Sequence, residues 1–199
     1  MTALLAACFF ASGAAGLAYE VLWSRHLALL FGTNAEAVGL VLAVFMSGLG
    51  LGSRAFGGLA DRVRAPLRLY AALEAGIGLA ALLTGPLLSA AARAFPALAA
   101  ALGGGPVATA TAKAVLSAAV LFPPAFLMGG TLPALSRALA GGNGRAPRVV
   151  PLLYAVNVAG AVLGAGATGF WLVERAGLAA TMRLAATADL AVAAVALAA

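Results

Sequence analysis

Residues 149–173, with the sequence VVPLLYAVNVAGAVLGAGATGFWLV, contain no charged side chain. This stretch is longer than the about 20 apolar residues that an α-helix needs to cross a bilayer. The rest of the chain has the same character, since 64% of its 199 residues are hydrophobic, 9% are charged and the mean hydropathy is +1.07. Soluble domains contain about 25% charged residues. The composition therefore excludes a soluble globular fold and predicts an all-α, polytopic membrane protein.

About six transmembrane helices fit into this length as a single transmembrane domain, residues 1–199. Their predicted bounds are residues 3–31, 36–59, 67–88, 108–135, 149–173 and 178–199. The first of these is too long for a hydrocarbon core of about 30 Å. Its second half is therefore expected at the interface or in the protein interior. Pro123, Pro124 and Pro133 predict kinks in the fourth span, because an interior proline removes a backbone hydrogen-bond donor.

The net charge of +6 arises from basic residues that stand mostly at the ends of apolar runs. This placement is typical of topogenic charge and not of a nucleic-acid-binding stripe. Two loops, between spans 2 and 3 and between spans 4 and 5, carry the densest groups: Arg54, Arg62, Arg64 and Arg68, and Arg137, Arg145 and Arg148. The positive-inside rule assigns these loops and both termini to the cytoplasm. We therefore expect a multi-pass protein of the cell inner membrane.

Glycines recur within two of the predicted spans. Gly48, Gly50 and Gly52 could suggest a phosphate-binding loop, but such a loop requires a strand before it in a soluble βαβ unit. Small residues in a membrane helix instead let a neighbouring backbone approach closely. The same interpretation applies to Gly160 and Gly164.

Glu20 is the first of three acidic residues in the interior of the predicted spans. Charge in lipid is costly, and such residues are usually paired or functional. Three interpretations remain open for Glu20. It could lie at the interface beside Trp23 as an aromatic-belt anchor, form an ion pair with Arg25 or another arginine, or contact a ligand.

Glu74 and Asp189 are the other two, in the third and sixth spans. For each, structural pairing or a polar packing contact competes with a role in substrate binding. Tyr154 and Asn157 lie on one face of the fifth span, where they could form hydrogen bonds between helices. No metal-ligand spacing and no nucleophile–base pair is present, so we assign no catalytic, cofactor-binding or metal-binding residue.

The segment Gly57-Gly58-Leu59-Ala60-Asp61-Arg62 ends the second span. Its glycines permit a tight turn, and Asp61 could accept hydrogen bonds from the next helix or pair with a cytoplasmic arginine. The segment resembles the Gly-x-Leu-x-Asp-Arg loop between the second and third helices of major facilitator superfamily transporters, with Gly58, Asp61 and Arg62 as its motif residues. The family continues with Gly and a basic pair, whereas this chain has Val63-Arg64. A generic charged turn is the alternative.

Three longer stretches stand in order along the chain: 12–25, SGAAGLAYEVLWSR; 122–133, FPPAFLMGGTLP; and 153–161, LYAVNVAGA. Together they resemble the membrane region of bacterial fused transporter-like/spermidine synthase proteins. The resemblance implies about six helices arranged as one half of a major facilitator fold. It also implies a cytoplasmic aminopropyltransferase domain that binds decarboxylated S-adenosylmethionine and a diamine, and no residue of this sequence carries that chemistry.

The resemblance leads to a first hypothesis, in which the chain anchors or scaffolds such a synthase-type domain. In the alternative, it is half of a transporter for polyamines or other small cations, pairs with itself or a second half, and uses Glu20, Glu74 and Asp189 as cation contacts. A third hypothesis is that the chain is an accessory subunit of a membrane complex. The expected partners are the lipid bilayer, a synthase-type domain or a second copy, without nucleic acid and without a cofactor.

Overall fold

The computed structural model describes residues 2–31, 34–141 and 146–199. Every regular element in these ranges is helical, as the sequence predicts. The helices are α1 (Thr2–Phe31), α2 (Asn34–Arg62), α3 (Pro66–Ala101), α4 (Pro106–Gly129), α5 (Thr131–Ala140), α6 (Ala146–Ala167), a π-helical turn (Thr168–Leu172) and α7 (Val173–Ala198). The predicted loop residues 32–33 and 142–145, including Arg145, lie outside the described residues.

Within the described ranges, five helical segments are long and apolar enough to cross a membrane: Thr2–Phe31, Val38–Arg62, Pro66–Ala101, Pro106–Ala140 and Arg148–Ala198. Their outer faces carry large apolar side chains, such as Leu29, Val107 and Phe170, each at least 74% exposed. Such an exterior suits lipid, which is as apolar as these side chains.

The third helix is longer than the sequence predicts. Instead of ending near residue 88, α3 continues through Pro86 and Pro96 to Ala101. The segment after residue 88 is rich in alanine, the residue with the highest helix propensity, which favours this continuation. The chain then turns at Gly103 and Gly104, whose φ angles are 103° and 71°.

The fourth predicted span is interrupted at Gly130. Pro123 and Pro124 are inside α4, which continues to Gly129, and α5 begins at Thr131. Pro133 lies in the first turn of α5, where backbone N–H groups have no partner within the helix. At the junction, a Cβ on Gly130 would collide with the Phe56 ring.

The C-terminal segment changes its helical geometry near residues 173–178, between the last two predicted spans. The π-helical residues Thr168–Leu172 connect α6 to α7. Within α7, Gly177 has φ 78° and ψ 167°, which interrupts the helix. Only glycine adopts this conformation readily, because it has no Cβ.

Helices α2 and α4 pack in parallel through glycines. Gly48 lies against Ala125, and Gly52 lies so close to the Phe126 carbonyl group that a Cβ would not fit. Gly50 faces open space. The packing interpretation is therefore confirmed for Gly48 and Gly52.

Helices α1 and α6 form a similar parallel pair. Gly160 lies against the Phe10 carbonyl oxygen, and Gly164, one turn later, against that of Ala14. Side chains at either glycine would separate the two backbones. Helices α3 and α7 form the third main pair and run antiparallel, with Gly78 against Ala186.

Candidate functional site

A cleft of about 260 Å³ lies between α1, α2, α6 and the junction of α4 with α5. Phe45, Met46, Leu49 and Met128 contribute to its apolar wall. Its polar lining consists of Ser12, Glu20, Thr131, Tyr154 and Asn157. Three of the residues singled out from the sequence, Glu20, Tyr154 and Asn157, therefore meet in one place.

Glu20 provides the carboxyl group of this cleft. Its side chain is half-buried, and within the described ranges no hydrogen bond or ion pair joins it to another residue. A carboxylate without a protein partner, set in an apolar wall, is available to a cationic ligand.

Arg25 does not pair with Glu20. Its guanidinium group donates a 2.8 Å hydrogen bond to the Gly169 carbonyl oxygen and so ties α1 to the π-helical turn. The interpretation of Trp23 as a belt anchor is wrong, since Trp23 is 0% exposed. Its ring stacks on Tyr19 at 5.8 Å and meets Phe45 at 6.2 Å, so neighbouring helices enclose it.

Asn157 joins α6 to α1. Its Nδ2 donates a 3.0 Å hydrogen bond to the Phe9 carbonyl oxygen, which confirms the expected contact between helices. Gly13 permits this approach, because a Cβ there would lie 2.8 Å from Asn157 Nδ2. Tyr154, one turn earlier, is 61% exposed and lines the cleft.

Glu74 and Asp189 lie on the other side of α1 and do not line the cleft. Both are buried, with exposures of 0% and 1%. The Ser12 hydroxyl donates a 2.8 Å hydrogen bond to Glu74 Oε1, and the Tyr19 hydroxyl donates a 2.6 Å hydrogen bond to Asp189 Oδ2. The structure thus brings the two acidic residues together and connects both of them to α1.

Ser12, Tyr19 and Tyr70 are functional-site candidates that the sequence analysis did not assign. Helical spacing carries a signal for them, because Tyr70 lies one turn before Glu74, and Ser12 and Tyr19 are two turns apart. The sequence does not specify which face of α1 meets α3 and α7, and this choice makes Ser12 and Tyr19 partners of the acidic pair.

Asp61 lies near the end of α2 and does not line the cleft. It forms an ion pair with Arg137 of α5, with 3.6 Å between Asp61 Oδ1 and Arg137 Nε. The expected pairing of Asp61 with an arginine is therefore present. It brings the C-terminal parts of α2 and α5 together.

The predicted role of the glycines in this loop is wrong. Helix α2 continues through Gly57 and Gly58 to Arg62, and Gly58 is exposed with no neighbour near its Cα. The turn consists of residues 63–65, after which Pro66 begins α3. Proline suits this position because it needs no backbone partner in the first turn.

Comparison of the chain with protein-family profiles, with curated proteins and with solved structures finds no match. We therefore infer the chemistry of the site from its own residues alone.

The cleft combines features that suit a small organic cation. Glu20 supplies negative charge, and the hydroxyl groups of Tyr154 and Thr131 can accept hydrogen bonds from an ammonium group. Aromatic rings such as Phe45 attract a cation to their faces, and thioethers pack against methylene groups. The Thr131 hydroxyl donates its own proton to the Met128 carbonyl oxygen at 2.8 Å, which leaves its oxygen as an acceptor.

Proposed function

We propose that this chain is the integral membrane domain of a spermidine synthase-like protein, and that it anchors or scaffolds a cytoplasmic aminopropyltransferase-type domain carried elsewhere. One observation carries the proposal. The three stretches that resemble this family are far apart in sequence, and all three contribute to the cleft. Their cleft residues include Ser12, Gly13 and Glu20, then Met128 and Thr131, then Tyr154, Asn157 and Ala161.

Six membrane spans are part of this proposal. The fifth candidate, Arg148–Ala198, has 51 residues, which as a continuous helix would be about 76 Å long. A hydrocarbon core is about 30 Å thick, so a segment of this length suits two crossings. The interruption at Gly177 supports a turn between them.

The helix pairing supports a major facilitator-like half. Such a half contains two inverted repeats of three helices. In two such repeats, α1 corresponds to α4–α5, α2 corresponds to α6, and α3 corresponds to the last part of α7. The α1–α6 pair then corresponds to the α4–α2 pair. Both pairs are parallel and both pack through glycines, while α3–α7 is antiparallel and corresponds to itself.

The arginines support inner-membrane insertion with cytoplasmic termini. The contact between Asp61 and Arg137 joins the ends of α2 and α5, and these ends carry the two dense groups of arginine. Cys8 is the sole cysteine, so a Cys8→Ser background permits a direct topology test. Cysteines at Ala176 and Ala199 should then react with an impermeant maleimide from opposite sides of the membrane; labelling from the same side contradicts six spans.

The anchoring function is tested by purifying the tagged chain from its native membranes in mild detergent. We expect an aminopropyltransferase-type polypeptide to co-purify, and the sample to form spermidine from putrescine and decarboxylated S-adenosylmethionine. A tagged, unrelated multi-pass protein from the same membranes is the control. If neither the polypeptide nor the activity exceeds that control, anchoring is refuted.

The cleft favours a second candidate function, half of a transporter for polyamines or other small cations. Its supporting observation is the Glu20 carboxyl group, which has no partner among the described residues and lines the cleft together with Tyr154 and Asn157. We expect proteoliposomes to accumulate radiolabelled putrescine, and Glu20→Gln to reduce this accumulation at least tenfold. Glu174→Gln, an exposed carboxyl change outside the cleft, should have no effect. Equal accumulation in all variants would remove Glu20 from this role.

A further inference from the structure

Two carboxyl groups share the interior of the helix bundle without a basic partner. Glu74 and Asp189 are 0% and 1% exposed, and no ion pair joins either one to an arginine, lysine or histidine of the described residues. They lie on the packed helices α3 and α7, each about one turn from the contact between Gly78 and Ala186, and two ionised carboxylates on facing helices repel each other. Burial of two unpaired negative charges would be very costly, and a carboxyl group in this situation takes up a proton instead.

The surroundings of the pair contain only neutral groups. Cys8, Ser12 and Tyr19 face it from α1, and Tyr70 faces it from α3. The charged residues on other neighbouring elements are engaged elsewhere. Lys113 of α4 donates to the Phe31 carbonyl oxygen, and Arg137 of α5 pairs with Asp61.

Tyr70 is the polar side chain directed into the pair from α3, one turn before Glu74. Its hydroxyl group is buried and directed towards Glu74, but it does not reach hydrogen-bond geometry with any described residue. The second oxygen of Glu74, Oε2, is likewise buried and without a partner. Polar atoms inside a protein are seldom left unpaired, and the exceptions often have a functional role.

A metal ion does not suit these groups, because no cluster of three or more His, Cys, Asp or Glu side chains is present within the described ranges. From this arrangement we infer that Glu74 and Asp189 form a proton-binding site within the membrane, in which at least one of the two carboxyl groups is protonated at neutral pH. Binding is a simple addition, in which a carboxylate oxygen takes a proton and becomes a neutral carboxylic acid.

Ser12 connects this site to the cleft. The same side chain lines the cleft and donates to Glu74 Oε1 at 2.8 Å. A positive charge in the cleft therefore favours ionised Glu74, so that binding of a cation and binding of a proton oppose each other. This inference goes beyond the proposed function and does not depend on it.

Infrared spectroscopy of the full chain in lipid nanodiscs tests the proton site directly, because a protonated carboxylic acid has its own carbonyl stretching band. We expect this band at neutral pH. Asp189→Asn or Glu74→Gln should remove all or part of it. Asp61→Asn is the matched control, since the Asp61 side chain is 75% exposed, and should leave the band unchanged.

Isotope labelling gives a second measurement that needs no substitution at the site. The chain has only two aspartates, Asp61 and Asp189, so labelled aspartate reports on Asp189 within the membrane. Labelled glutamate in a background that carries Glu20→Gln, Glu36→Gln and Glu174→Gln reports on Glu74 alone. A shift of the band with either label supports the inference. If neither label shifts a protonated-acid band at neutral pH, both groups are ionised and the inference is wrong.

Discussion

The Ser12 hydroxyl group lies between two sites, because it lines the cleft of Glu20 and donates a 2.8 Å hydrogen bond to Glu74 Oε1. One turn of α1 separates Ser12 from Gly16, another cleft residue, while Tyr19 on the opposite side reaches Asp189. Helix α1 therefore divides a cleft that holds one carboxyl group from an interior that holds two. Ser12 is therefore the side chain that stands between a charge in the cleft and the Glu74 carboxyl group.

Putrescine in the cleft is expected to displace a proton. Its ammonium group stabilises the ionised form of Glu74 across Ser12, so that protein in detergent should release protons into weakly buffered solution when putrescine is added. A pH-indicator dye measures the release. Glu74→Gln should reduce the number of protons released per putrescine bound, whereas Glu174→Gln should not. Equal release from Glu74→Gln and the unmodified chain would show that Glu74 is not coupled to the cleft.

Gly52 is expected to tolerate no side chain. Gly52→Leu forces α2 away from the Phe126 carbonyl group, and overpacking of this kind costs typically about 1–3 kcal/mol of unfolding free energy. Gly50→Leu, two residues earlier on a face with open space, is the matched control. Reversible unfolding in mixed micelles measures both. Equal stability of the two variants would contradict the close α2–α4 packing.

Gly177 is expected to resist substitution because of its backbone conformation. With φ 78° and ψ 167° it occupies a region that is essentially restricted to glycine, and Gly177→Ala should lower the unfolding free energy by about 1–3 kcal/mol. Gly169→Ala, at a glycine with negative φ and no close neighbour, should change it by less. A neutral Gly177→Ala would mean that α7 is continuous at this point.

The ion pair between Asp61 and Arg137 is expected to stabilise the fold only slightly. Its side chains are 75% and 43% exposed, and pairs of this kind contribute about 0.2–1 kcal/mol in double-mutant cycles. A cycle with Asp61→Asn and Arg137→Gln, measured at low and high salt, should give a coupling in this range that decreases with salt. A larger, salt-independent coupling would assign the loop a structural role that its exposure does not suggest.

The sequence by itself determined that this protein is apolar enough for a lipid environment and that its secondary structure is helical. Hydropathy is a sum over neighbouring residues, so residues 149–173 identify a membrane helix without knowledge of their contacts. Local signals also predicted the close-packing role of Gly52 and Gly160 and the hydrogen bond of Asn157 to another helix. They failed for α3, where the alanine-rich sequence continues the helix beyond residue 88.

Only the tertiary structure decided which side of each helix faces protein. Glu20 and Tyr19 are neighbours in sequence, yet one lines the cleft and the other binds Asp189 inside the bundle. Trp23 is buried, although an aromatic residue at that depth also suits the interface. In water, an alternation of polar and apolar residues marks the buried face of a helix. In lipid both faces are apolar, so that pattern is lost, and the partners of Glu74 and Asp189 follow from how the helices pack.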